Sequence, residues 1–72
     1  MPAPWSDYLP IVEHTLSLVA EGARRSDFLD ICWANDMGDD VIDGFDAIDE
    51  RVLMRSADDV KKQLEALGQL TA

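Results

Sequence analysis

The sequence is poor in the groups that most often carry chemistry: one cysteine, one histidine and six basic residues in 72. A single thiol, Cys32, excludes an intrachain disulfide and suits a reducing compartment. Zinc-ligand spacing and a phosphate-binding glycine loop are both missing. No apolar run approaches the ~20 residues of a membrane span. The start, Met1-Pro2-Ala3-Pro4-Trp5, has neither the basic region nor the apolar run of a signal peptide. A cytoplasmic protein without a membrane association is expected.

Basic residues are also unevenly missing. Nine acids and no base lie between Arg25 and Arg51, whereas six acids balance six bases elsewhere. The whole net charge of −9 therefore arises in the middle of the chain. Such a field repels nucleic acid and anionic membrane and attracts basic surfaces. Direct nucleic-acid binding is not expected, because phosphate contacts need Lys and Arg.

What is present is a globular composition, with 47% hydrophobic residues. That is enough for a core and too much for a disordered chain. The length indicates a single acidic helical domain over 1–72, small enough to be marginally stable alone. No segment alternates convincingly with period two. The fold class expected is all-α, a small compact bundle of three to four short helices.

The first helix is expected from about Asp7 to Gly22, capped by Ser6 or Asp7, with Pro10 in its first turn. Trp5, Tyr8, Leu9, Val12, Leu16, Val19 and Ala23 share one face, and Ile11 and Leu18 a second shoulder. A stripe that wide suggests a central helix touching two neighbours. The second, from an N-cap at Ser26 to about Asn35, is apolar nearly all round through Phe28, Leu29, Ile31, Cys32 and Trp33. It should be mostly buried. The third, from Gly38-Asp39 to about Met54, carries Val41, Phe45, Ile48 and Val52 at i, i+4, i+7 and i+11. Gly44 within it weakens the helix by ~1 kcal/mol and allows another backbone to approach closely. The fourth starts at Ser56, with Asp59 completing a capping-box variant, and stops at Gly68. Val60, Leu64 and Leu67 form its apolar stripe.

Asp39, Asp43, Asp46 and Glu50 repeat at the same helical spacing as the apolar stripe of the third helix, on the opposite side. Asp36, Asp40 and Asp49 flank them. Like charges so placed cost a few tenths of a kcal/mol per pair. One reading is a solvated face that aids solubility. The other is a binding face for a basic groove. A continuous helix from Asp36 to Glu50 would rise ~21 Å and carry roughly one carboxylate per 3 Å. A DNA strand presents one phosphate per ~3.4 Å. Ile42 and Leu53 fall about 60° and 40° from Asp39 on a helical wheel, where apolar side chains serve as interface anchors or pack under a neighbour.

Other chemistry fits less well. Placing Gly44 at the glycine of a calcium loop puts Asp39 first, Asp43 fifth and Glu50 last. Val41 then occupies a ligand position, and the stretch reads as helix. Helix-turn-helix geometry around Asn35–Gly38 would make the acidic helix the recognition helix. None of Ser6, Ser17, Ser26 and Ser56 stands in the Asp-Ser-Leu setting of a phosphopantetheine carrier. His14 falls on the polar side of the first helix, near Ser17 and Glu21, as a surface histidine. Cys32, in an apolar helix with acids nearby, reads as core. No enzyme activity and no cofactor or metal are expected.

In size and charge the chain resembles small acidic phage-encoded inhibitors, including anti-CRISPR proteins and nucleic-acid mimics. The likeness is one of composition and assigns no residues. The expected function is a non-enzymatic inhibitor or regulator. It presents Asp36, Asp39, Asp40, Asp43, Asp46 and Glu50, with Ile42 as anchor, to the basic surface of a protein partner, a nucleic-acid-binding groove being one such surface. The alternative is a structural or oligomerisation subunit, a homodimer joined through the apolar face of the first helix.

Overall fold

The computed structural model describes residues 2–71. Four helices make up the chain: α1 (Trp5–Leu18), α2 (Arg25–Ala34), α3 (Asp39–Asp46) and α4 (Ala57–Ala66). The described residues form no sheet. The only β-type pairings among them are two isolated bridges, Ala3 with Leu70 and Ala23 with Met54. The expected all-α bundle is thus observed.

Helix α1 packs against α2 and α4, and α2 also packs against α3. The two-neighbour role expected for the first helix is seen. Its boundaries differ from expectation. It begins after Pro4, with no side-chain cap, and ends at Leu18, four residues before Gly22. Pro10 therefore lies in the second turn, where it leaves the Ser6 carbonyl without an intrahelical N–H partner. Gly22 has φ +116, and its Cα faces Leu53 and Arg55 side chains.

An aromatic column runs through the core. Phe28 of α2 stacks on Phe45 of α3, with centroids 4.9 Å apart and rings 4° from parallel. Phe45 meets Tyr8 of α1 edge-on at 5.3 Å. Trp5 lies 6.4 Å beyond Tyr8, and the Lys61 ammonium of α4 sits 6.0 Å over the Trp5 ring. Offset and edge-to-face pairs add about 0.5–1.5 kcal/mol each beyond area burial. The column thus links all four helices, and Tyr8, Phe28 and Phe45 are wholly buried within it.

Gly44 sits where the column crosses α3. A Cβ there would lie 2.7 Å from Tyr8 Cζ and closer still to the hydroxyl. The close approach expected at this glycine occurs, but an aromatic ring makes it, not a second backbone. The Tyr8 hydroxyl continues past α3 and donates to the Gln69 carbonyl at 3.1 Å, with the Asp40 carbonyl at 3.4 Å.

Backbone pairs fasten the connections. Ala23 and Met54 exchange two hydrogen bonds of 2.8 Å, tying the α1–α2 link to the α3–α4 link. Ala3 donates to Gln69 O and accepts from Thr71 N–H, both at 3.1 Å. Gly68, at φ +70, ends α4 in a Schellman turn: Gln69 N–H reaches Leu64 O and Gly68 N–H reaches Glu65 O. That turn delivers Gln69 to both Ala3 and Tyr8.

Acid caps start two helices. At α4, Ser56 Oγ accepts from Asp59 N–H, and Asp59 reaches back to Arg55 N–H, one residue beyond the N-cap amide that a full capping box would use. At α2, Asp27 accepts from Arg24 N–H, so the N-cap is Arg24 and not Ser26, which lies inside the helix.

Helix α3 is about half the length expected. It ends at Asp46 because the chain finds other partners for its backbone. Asp49 Oδ1 accepts the N–H of Arg51 two residues on, an Asx turn, and Val52 N–H closes on Asp49 O. Ile48 remains fully buried although it lies past the helix. Met54 is also buried, in extended backbone paired with Ala23. None of the four helices is long and apolar enough to cross a membrane.

Candidate functional site

Helix α3 divides its residues sharply. Val41, Gly44 and Phe45 face the core, whereas Asp39, Asp40, Asp43 and Asp46 are exposed. Ile42 lies between, half-buried and packed against the core. Asp36 is exposed just ahead of the helix, at φ +53. It holds the left-handed position that ends α2, where Met37 N–H reaches Cys32 O. A non-glycine residue there costs about 1 kcal/mol, and Asp is among the few that tolerate it.

Glu50 does not join this helical face. It lies in the turn after α3, and its carboxylate is 3.6 Å from Arg25 of α2. The Asp39/Asp43/Asp46/Glu50 stripe therefore breaks before its last member. Asp49 is likewise engaged, gripped by Arg51 through Nε at 3.2 Å and a terminal nitrogen at 3.0 Å. These bonds hold the Asp49 carboxyl at about 2, well below the usual carboxylate range. Leu53 also leaves the acidic border, because its segment is not helical and it packs beside Gly22.

Two of the six basic residues, Arg25 and Arg51, thus lie at the C-terminal end of α3 and its following turn. Arg25 donates to the Asp46 and Ile48 carbonyls at 3.0 and 3.1 Å as well as facing Glu50. A guanidinium there satisfies terminal carbonyls and suits the negative end of the helix dipole. Arg25, Asp49, Glu50 and Arg51 together line a cleft of ≈ 550 Å³ whose charges compensate within the chain. Among the described residues, no cation pairs with Asp36, Asp39, Asp43 or Asp46.

The start of α3 is different. A cleft of ≈ 560 Å³ separates it from the start of α1, with Asp7, Asp39 and Asp40 among its walls and Pro10, Met37 and Val41 as its apolar part. Asp7 is the acid that sequence reading left out of the face. Its helix is distant in sequence, and only the seating of the Tyr8 ring against Gly44 and Phe45 of α3 brings it there. Burial raises the Tyr8 hydroxyl above its ordinary pKa, and the charges of Asp40, Asp43 and Asp7 raise it further. The three carboxylates therefore share one electrostatic neighbourhood over this ring.

Trp33 is a second omission. It is 69% exposed on α2, although a mostly buried second helix was expected. Only Phe28 and Cys32 of that helix are fully buried. A 72-residue chain has too little interior to enclose a helix on all sides, and that argument was available from length alone.

Other expectations meet the structure as follows. Asp39–Asp46 is helical, the geometry a calcium loop does not have. No cluster of three or more acids, histidines or cysteines placed to hold a metal occurs among the described residues. Burial pushes the Cys32 thiol up to about 11, away from reactivity. His14 is exposed on α1. On that helix Tyr8 and Val12 are buried within the chain and Trp5, Leu9 and Leu16 partly so, as is Val19 just after it.

Comparison of the chain with protein-family models, curated proteins and solved structures finds no match.

Proposed function

We propose that the protein is a non-enzymatic binding protein whose acidic α3 face, extended by Asp7 of α1 and Asp36 before α3, docks on a basic surface of a protein partner. The observation that carries this reading is the separation of charge. Arg25 and Arg51 are engaged at the C-terminal end of α3 and its following turn, while Asp39, Asp43 and Asp46 stay exposed without a pairing cation among the described residues. Keeping them so is costly to the fold. Asp43 opposes Asp39 at i, i+4 and Asp46 at i, i+3, each worth about 0.2–0.5 kcal/mol. Asp46 also sits at the wrong end of the helix dipole, a further ~0.3–1 kcal/mol. Asp39 and Asp40 gain at the N-terminal end of the helix, but the repulsion around Asp43 and Asp46 is a local cost, and local costs kept on an exposed face are characteristic of function taking precedence over stability.

Four carboxylates along about 12 Å of helix give roughly one per 3 Å, near the phosphate spacing of a nucleic-acid strand. A nucleic-acid-binding groove is therefore a suitable partner surface, and occupying it would make the protein an inhibitor or regulator. Small acidic phage-encoded inhibitors, which the chain resembles in size and charge, act on such partners.

The test compares two triple variants of equal charge. One is D39N/D43N/D46N on α3. The other is E13Q/D58N/E65Q, on exposed positions of α1 and α4. Affinity for a deca-arginine peptide is measured across a salt series. The proposal expects the α3 variant to lose binding and the control to keep most of it. Equal loss in both would reduce the face to a contribution to net charge.

A further inference from the structure

We infer that Trp33 is the specificity anchor of this binding surface and receives an arginine side chain of the basic partner. The inference rests on the acidic-face reading above and adds a site to it on α2. Trp is the largest apolar side chain and is highly buried on average, yet Trp33 is 69% exposed. It stands in the last turn of α2, which contains no basic residue, so the negative end of that helix lies beside the indole with no cation of its own. Asp30 precedes it by three positions, a helical neighbour, and Asp36 follows it by three; both are exposed. Ala34 beside it is exposed as well.

Each of these features favours a cation over the ring. The π face attracts positive charge, and so do the exposed carboxylates of Asp30 and Asp36 and the negative end of the helix dipole. Among cations the guanidinium fits best. It is planar, stacks on an indole, and still offers in-plane donors to carboxylates on either side. Lys61 over Trp5 shows the same kind of pairing inside the chain, where the cation is supplied internally. At Trp33 no such cation is supplied among the described residues. A second copy of the chain is the less suitable occupant. A two-fold interface would set Asp30 and Asp36 against their own equivalents, and like charges across an interface are unfavourable.

The experiment uses the full chain with deca-arginine and deca-lysine peptides of equal charge. It compares wild type, Trp33→Ala, Trp33→Phe and the α3 variant D39N/D43N/D46N. Circular dichroism confirms the fold of each; Trp33 is exposed, so its replacement leaves the core intact. Wild type is expected to prefer the arginine peptide. Trp33→Ala should lose roughly three- to ten-fold for that peptide and little for the lysine one, and Trp33→Phe should retain part of the preference. The α3 variant should weaken both peptides alike. Trp33→Ala binding both peptides as wild type does would overturn the anchor while leaving the acidic face standing. Unchanged binding by the α3 variant would instead remove the face on which the anchor depends. Sedimentation at tens of micromolar provides the third arm: a dimer in wild type that Trp33→Ala dissolves would assign the indole to self-association and overturn the inference.

Discussion

Replacing Gly44 with alanine sets two effects of opposite sign against each other. In an exposed helix the change is favourable by about 1 kcal/mol, because alanine restricts the unfolded chain and favours helix. At Gly44 the added methyl carbon would lie 2.7 and 2.8 Å from Tyr8 ring atoms and closer to the hydroxyl. The ring has no room to retreat. It is fully buried, held edge-on against Phe45, and its hydroxyl is bonded to the Gln69 carbonyl. Overpacking costs about 1–3 kcal/mol, occasionally more, and a broken hydroxyl bond another ~0.5–1.5 kcal/mol. The net expectation is destabilisation by about 1–3 kcal/mol. A chain of this length has a total stability of roughly 4–11 kcal/mol, and each kcal/mol shifts Tm by about 4–8 °C. Urea unfolding of Gly44→Ala, Tyr8→Leu and the double variant measures the pair. In the Tyr8→Leu background the ring is gone, so the alanine should be neutral or stabilising. The resulting coupling should fall in the 0.5–3 kcal/mol range typical of touching residues. A single Gly44→Ala variant as stable as wild type, or more so, would refute the packing argument.

Other perturbations have defined signs. Thr15 is 2% exposed and its Oγ1 has no hydrogen-bond partner among the described residues. Thr15→Val should therefore raise stability by about 1 kcal/mol, seen as a higher urea midpoint at unchanged slope. Asp46→Asn relieves both a like-charge neighbour and an unfavourable dipole end, so it should stabilise by about 0.5–1 kcal/mol while weakening the deca-arginine complex. Stability should fall as pH rises from 9 toward 11. The Cys32 thiol, raised from 9.0 to about 11, stays protonated in the folded chain after the unfolded chain has begun to ionise. Tyr8, raised above 10.0 by burial and neighbouring acids, extends the decline to higher pH. Cys32→Ala should flatten the first part of that limb, and an unchanged slope would exclude the thiol as its source.

Much of the fold could be read from spacing. Four helical segments, the core role of Val41, Phe45 and Leu64, the Ser56 cap and the Gly68 stop all follow from period and capping chemistry. The error at α3 has a specific cause. Ile48 and Val52 continue the helical period of Val41 and Phe45, and both pack inward, so the apolar pattern gives no sign of a stop. The stop comes from Asp49, which binds the backbone at Arg51, and from Arg25, which arrives from another helix. A one-dimensional period contains neither. The same blindness affected the site. Asp36, Asp39, Asp43 and Asp46 group together because they are near one another in sequence, whereas Asp7 joins them only through the contact of the Tyr8 ring with α3. Glu50 was assigned to the face only because the helix was drawn too long.

The two bridges make the chain a loop within a loop. The Ala23–Met54 pair encloses α2 and α3, and the Ala3–Leu70 pair encloses that closed unit together with α1 and α4. Closing the outer loop directly spans about twice the residues of the inner one, which by chain entropy adds only ~0.6 kcal/mol. Once the inner pair has formed, the outer closure is shorter still. The nesting also separates two modes of opening. Release of the outer bridge frees Gln69 from Ala3 and from the Tyr8 hydroxyl, yet leaves the stack of Phe28 on Phe45 and the Ala23–Met54 pair untouched. In amide-exchange terms, the Ala3 and Thr71 amides are expected to exchange before those of Ala23 and Met54. The acidic helix lies inside the inner loop, so it keeps its shape through the lower-energy of the two openings.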